Sequence, residues 1–88
     1  MDHDIQIVDK KHKTKTTLDE RYWRLMRKIS NNIRRIREAK HLTQEDMMSL
    51  GLERRWFQRI ESGKYSVSLP TLDRVARVLK VDISEFLK

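Results

Sequence analysis

The chain has 88 residues, no cysteine, 20 Lys plus Arg against 13 Asp plus Glu, and a formal net charge of +7. That length makes one small domain, and the lack of cysteine excludes a disulfide framework and a thiolate metal site. No apolar run approaches the roughly 20 residues that span a bilayer, and no signal-peptide-like segment is visible, so the soluble interior of a cell is expected.

The positive charge is unevenly spread, with eight basic side chains against three acidic ones in residues 17–41. A strongly basic domain draws polyanions to its surface and releases counterions from phosphates on binding. Basic helices also occur as plain solvated faces, and charge alone does not choose between the two.

Residues 1–16 hold only Ile5, Ile7 and Val8 as large apolar groups, followed by a Lys/His/Thr tract. They read as a flexible basic tail. Two alternatives are a basic arm that follows a DNA groove and a short strand through Ile5 and Ile7 in an oligomer.

Thr17 and Glu20 match a capping box. From there Leu18, Tyr22, Leu25, Met26, Ile29, Ile33 and Ile36 recur at three- and four-residue steps, which predicts a helix from 18 to 40. Such a helix would be about 34 Å long, more than a compact domain of this size needs. Either it breaks at Ser30-Asn31-Asn32, or its first half overhangs and Tyr22, Trp23 and Met26 need a cover. A partner subunit or the chain's own domain would serve.

Thr43, with Asp46 in the capping-box position, begins a second helix whose apolar side is Met47, Met48 and Leu50. Gly51 marks a turn, because it enters φ > 0 without penalty. Glu53 lies in the N-cap region of a third helix, Arg54 to Ser62, and Gly63 is its stop. This helix points Arg54, Arg55 and Arg59 outward, while Leu52, Phe57 and Ile60 point inward. A loop is expected from Lys64 to Val67. Ser68 then caps a fourth helix with Pro70 in its first turn, where the missing N–H does no harm. Leu69, Leu72, Val75, Ala76 and Leu79 are its expected inner face. Asp82 and Glu85 read as a further capping-box pair before a short last helix carrying Ile83, Phe86 and Leu87. Nothing alternates with period two over any length, so the class is all-α.

The ordered set Ile33-Arg34-x-Ile36-Arg37, Leu42-Thr43-Gln44-Glu45, Gly51, Ile60-Glu61-x-Gly63-Lys64 and Ser68-Leu69-x-Thr71-Leu72, running into Val75-Ala76 and Leu79, carries more information than any one piece. It resembles the phage-repressor/Cro-type (XRE-like) helix-turn-helix family over residues 33–86. The resemblance implies a small lambda-repressor-like domain of four or five helices, here with an extended N-terminal helix. On this division residues 1–16 are the tail and 17–88 the helix-turn-helix domain, with 17–29 as its helical extension. The resemblance also implies double-stranded operator DNA as partner, usually bound by a two-fold dimer, in a bacterial or phage protein acting on the nucleoid in the cytoplasm.

By the same resemblance Arg54, Arg55 and Arg59 fall where family members read base edges. For Gln58, on its own chemistry, reading adenine and holding a phosphate both stay open. Gln44 and Thr43 at the start of the second helix would face a phosphate, as would Ser62 and Lys64. Arg37 and Glu61 match a structural ion pair between the first and third helices. Trp56 is a packing ring or a phosphate contact. Two departures bear on docking. Between Gln44 and Glu61 the chain is one residue shorter than the family pattern, around Met48-Ser49. Met48 also stands where a small alanine lets the helices approach, and Trp56 is placed to fill the resulting gap.

Other chemistries find little support. His3, His12 and His41 show no metal-ligand spacing on one helix, so neither metal nor cofactor is expected. No nucleophile–base constellation or glycine-rich phosphate loop is visible, so no enzyme activity is expected. The expectation is a sequence-specific transcriptional regulator, a repressor binding as a homodimer. One rival is an antitoxin or adaptor whose N-terminal extension holds a protein partner. A second is non-specific or RNA binding. Neither reading involves a membrane.

Overall fold

The computed structural model describes residues 5–6 and 18–88. Four α-helices make up most of it: α1 (Leu18–Ala39), α2 (Gln44–Ser49), α3 (Arg54–Ser62) and α4 (Leu69–Leu79). A 3-10 helix, Ile83–Leu87, follows α4. The class is all-α with a minimal addition. Strand β1 (Ile5–Gln6) pairs antiparallel with β2 (Ser66–Val67), Ile5 opposite Val67 and Gln6 opposite Ser66. The segment expected as a plain loop thus holds a strand, and the strand suspected at Ile5 pairs within the chain. Two-residue strands are too short to produce an alternating pattern, so periodicity could not reveal them. The rest of the tail and Thr17 lie outside the described residues.

Helix α1 runs unbroken through Ser30-Asn31-Asn32 because two of these side chains are bonded elsewhere in the domain. Ser30 Oγ donates to the Ile60 carbonyl at 2.7 Å, and Asn32 Nδ2 donates to the Phe86 carbonyl at 2.8 Å. A polar side chain that bonds a distant carbonyl no longer competes for its own backbone, which is how such residues otherwise end helices. The first bond ties α1 to α3 and the second ties it to the 3-10 helix.

The first half of α1 is covered by its own chain. Trp23 and Met26 are 4% and 5% exposed and share one core with Ile29, Ile33, Phe57, Ile60, Leu72, Val75, Leu79 and Phe86. Tyr65 and Val67, beyond the end of α3, pack against that core. Gly63 closes α3 at φ 73°, and a Cβ there would stand 3.5 Å from the Arg27 Cα and from Ser30 Oγ. The C-terminal end of α3 therefore rests on the middle of α1.

Some expected details differ. Leu69 is 71% exposed and Leu25, Leu50 and Leu87 are also on the surface. Leu69 is the first residue of α4, and helical side chains lean toward the N-terminus, so it points off the helix end. Leu25 sits a full 100° step before Met26, at the edge of the buried stripe. Leu50 is the C-cap of α2. Asp82 caps the last helix through Ser84 N at 2.8 Å, while the Glu85 carboxylate pairs with Lys88 Nζ at 2.7 Å. The tighter 3-10 turn brings the second amide to Asp82, so the expected Asp82–Glu85 capping box does not form.

Candidate nucleic-acid interface

Helices α2 and α3 are joined by a turn through Gly51 at φ 105°. The Thr43 hydroxyl accepts from Asp46 N at 3.0 Å, and Thr43 N donates to the Asp46 carboxylate at 2.8 Å, a reciprocal cap on α2. Glu53 caps α3 by accepting from Trp56 N at 2.7 Å. Met47, Leu52, Phe57 and Ile60 are buried between the two helices and α1.

The angle among α1, α2 and α3 is fixed by Glu61, which is 3% exposed. Its carboxylate accepts from Arg37 Nε at 2.7 Å, from an Arg37 terminal nitrogen at 3.1 Å and from Gln44 Nε2 at 3.0 Å. Its backbone carbonyl accepts from Arg34 at 2.7 Å. Arg37 also donates to the Leu42 carbonyl at 2.7 Å, which fixes the exit from α1. The hydrogen bond to Glu61 holds the Arg37 guanidinium above its ordinary pKa, against the opposing effect of burial and with the charges of Glu61 and Glu38 adding to it. A planar fork bonded to both oxygens of one carboxylate fixes direction as well as distance.

This scaffold leaves one face of α3 to solvent. At 100° per residue Arg54, Gln58, Ser62, Arg55 and Arg59 fall on an arc of about 140°, opposite Phe57 and Ile60. Arg55 and Gln58 are exposed in the middle of that arc. Arg54, at one edge, meets the Glu45 carboxylate of α2 at 3.1 Å. Arg59, toward the other edge, lies with its guanidinium carbon 5.3 Å from the centre of the Tyr65 ring. Trp56, half-buried against the core, carries Arg74 of α4 over its ring, also at 5.3 Å. Such stacking of an arginine on an aromatic face is attractive and leaves the edges of the guanidinium free to donate.

The helix-turn-helix domain family matches residues 30–86. The chain belongs to that family. Its helix-turn-helix domain is of the XRE-like phage kind. It is similar to the ImmF control region 10 kDa protein of Bacillus phage phi105, 36% identical over 59 residues that make up 66% of each chain. The aligned part is thus just under two thirds of that relative. No solved structure matches.

Within this helix-turn-helix domain the residues singled out from sequence fall into separate places. Arg54, Arg55, Gln58 and Arg59 share the outer face of α3. Gln44 stands at the start of α2 with one amide N–H given to Glu61 and a second that has no partner among the described residues. Thr43 is engaged in its cap. Ser62 is occupied too, donating to the Arg59 carbonyl at 2.7 Å and accepting from Lys64 N at 3.2 Å. Lys64 is exposed just beyond. Sequence reasoning missed Glu45, Tyr65 and Arg74 as neighbours of Arg54, Arg59 and Trp56. These contacts join different elements, and no local spacing announces them.

Proposed function

We propose that the protein is a sequence-specific transcriptional repressor that reads operator DNA with the outer face of α3, as a homodimer on a two-fold site. The observation that carries this reading is the pairing of a rigid inner face with a basic outer one. Phe57 and Ile60 are fully buried and Glu61 is bonded to α1 and α2, while Arg54, Arg55, Gln58 and Arg59 look outward. A helix so held can enter a major groove at one angle.

An arginine fork donating to guanine O6 and N7 discriminates by roughly 1–3 kcal/mol. Three arginines therefore supply roughly 3–9 kcal/mol, comparable with the roughly 4–10 kcal/mol separating specific from non-specific binding. One copy reads only a few base pairs, so a useful operator calls for two copies. Gln44, Lys64 and the Trp56 edge would set the register on phosphates, with Thr43 contributing through the α2 N-terminus it caps and Ser62 by holding the Lys64 backbone beside the duplex. Such binding represses by covering a promoter, in the cytoplasm of a bacterium or of a phage-infected cell. The phage control-region relative fits this role.

The adaptor reading drew on the amphipathic start Leu18, Tyr22, Met26 and Ile29 and on the apolar residues of the tail. Met26 and Ile29 are buried in the domain's own core, so these two are not offered to a partner. Selection of duplexes from a random pool, followed by binding of Arg54→Ala, Arg55→Ala and Arg59→Ala, tests the reading. A symmetric enriched site that the variants bind more weakly is the expected result. No enrichment, or wild-type binding by all three variants, would refute it.

A further inference from the structure

The acidic side chains around the helix-turn-helix mostly have structural work. Asp46 closes the cap on α2, Glu53 caps α3, and Glu61 is the buried hub. Glu45 is different. Its carboxylate is exposed, and its bonded partner among the described residues is Arg54, across the turn at 3.1 Å. An exposed pair of this kind contributes little to stability, since solvent screens it and two long side chains must be held still. Placing a carboxylate beside a surface meant for phosphates also works against affinity. Glu45 does lie in the first turn of α2, where a negative charge is favoured, but that position does not require a partner across the turn.

We propose that Glu45 is a positioning and specificity-determining residue of the DNA interface. The proposal rests on the reading of α3 as the base-reading helix. Glu45 engages one terminal nitrogen of Arg54, which leaves Nε and the other terminal nitrogen for an acceptor pair on a base edge. With the guanidinium held from behind, its fork is presented in one orientation and less rotamer freedom is lost on binding. On DNA without the matching base, Arg54 gains contacts only by swinging to a phosphate. That movement strips Glu45 of its partner and leaves a bare carboxylate facing a polyanion. Like charges so placed penalise the wrong partner more than the right one. The pair thus acts through a difference between sequences rather than through overall affinity.

The two arginines at the edges of the reading face are restrained by unlike means. Arg54 has a carboxylate, whereas Arg59 has the Tyr65 ring. Only the first restraint carries a charge that a phosphate repels, so the discriminating effect belongs to Glu45.

The test uses the full chain, the enriched duplex and a scrambled duplex of equal length. Wild type, Glu45→Gln, Arg54→Ala and the double variant are compared by equilibrium binding over a range of salt. Glu45→Gln keeps the shape and removes the charge. It is expected to tighten the scrambled duplex about tenfold while changing the enriched one little, a loss within the range of one base-reading contact. The salt dependence on scrambled DNA should steepen by roughly one further phosphate contact. In the Arg54→Ala background the same change should shift both duplexes by one common factor. A common factor for both duplexes with Arg54 present overturns the role of Glu45 and leaves base reading by α3 standing. Failure of wild type to enrich any duplex overturns both.

Discussion

Replacing Arg37 with Met should be among the most damaging single changes in this domain. The Glu61 carboxylate would lose the bonds from Arg37 at 2.7 and 3.1 Å and keep the one from Gln44 at 3.0 Å, at 3% exposure. Removing one member of a buried ion pair costs about 3–5 kcal/mol, because the remaining charge has neither water nor a counter-ion. A domain of about 70 residues is stable by roughly 4–10 kcal/mol in all. The variant should therefore melt at least ~12 °C below wild type, taking about 4 °C per kcal/mol as the smaller sensitivity for this size. Arg37→Met combined with Glu61→Met removes both charges together and should recover most of that loss. Thermal and urea unfolding followed by circular dichroism, at several protein concentrations, measures both variants. A single variant within about 1 kcal/mol of wild type would refute the assignment of Glu61 as the hub. So would a double variant as unstable as the single one. The pH sense is also fixed. Arg37 is held above an already high value, so its stabilisation is complete below the pKa of a free arginine and is lost only as pH rises through the folded value.

Three further changes test other parts of the fold. Gly51→Ala meets no atom within 4 Å but must adopt φ 105°, so backbone strain alone should cost about 1–3 kcal/mol in a melting experiment. Lys80 ends α4 at φ 59°, and Lys80→Gly should relieve roughly 1–2 kcal/mol of left-handed strain against roughly 0.5–1 kcal/mol for glycine's greater freedom when unfolded. A net rise in melting temperature is expected there. Asp82 is held below the ordinary aspartate range by its hydrogen bonds from Ser84. The cap it forms is present above the unfolded pKa and is lost as pH falls through the folded one. A carboxyl titration by NMR should place Asp82 below a free aspartate, and Ser84→Pro, which lacks the donating N–H, should return it toward that value.

Much of this fold could be read from residues close together in the chain. Thr43, Glu53, Gly63 and Ser68 mark helix ends by local chemistry, and the helices begin and end there. What could not be read depends on groups far apart in sequence. Ser30-Asn31-Asn32 looks like a helix breaker until the carbonyls of Ile60 and Phe86 are brought alongside. Trp23 and Met26 look uncovered until α3, α4 and the last helix close a common core around them. The arginines of α3 show their outward direction through the 3.6-residue repeat, but the restraints from Glu45 and Tyr65 arise only when different elements meet. Leu69 fits the apolar repeat of α4 and is still exposed, because periodicity does not know where a helix stops having neighbours.

The burial of Phe86 beneath α1 also bears on how the protein is made. Synthesis delivers the longest apolar stripe first, from Trp23 through Ile36, and the ring that completes its cover fifty residues later. At about 5–20 residues per second, the stripe emerges some 3–10 s before its last cover. A nascent chain in that interval presents an amphipathic helix ready for a chaperone, a protease or another nascent chain. The cell must carry the protein through that interval before any of it can reach DNA.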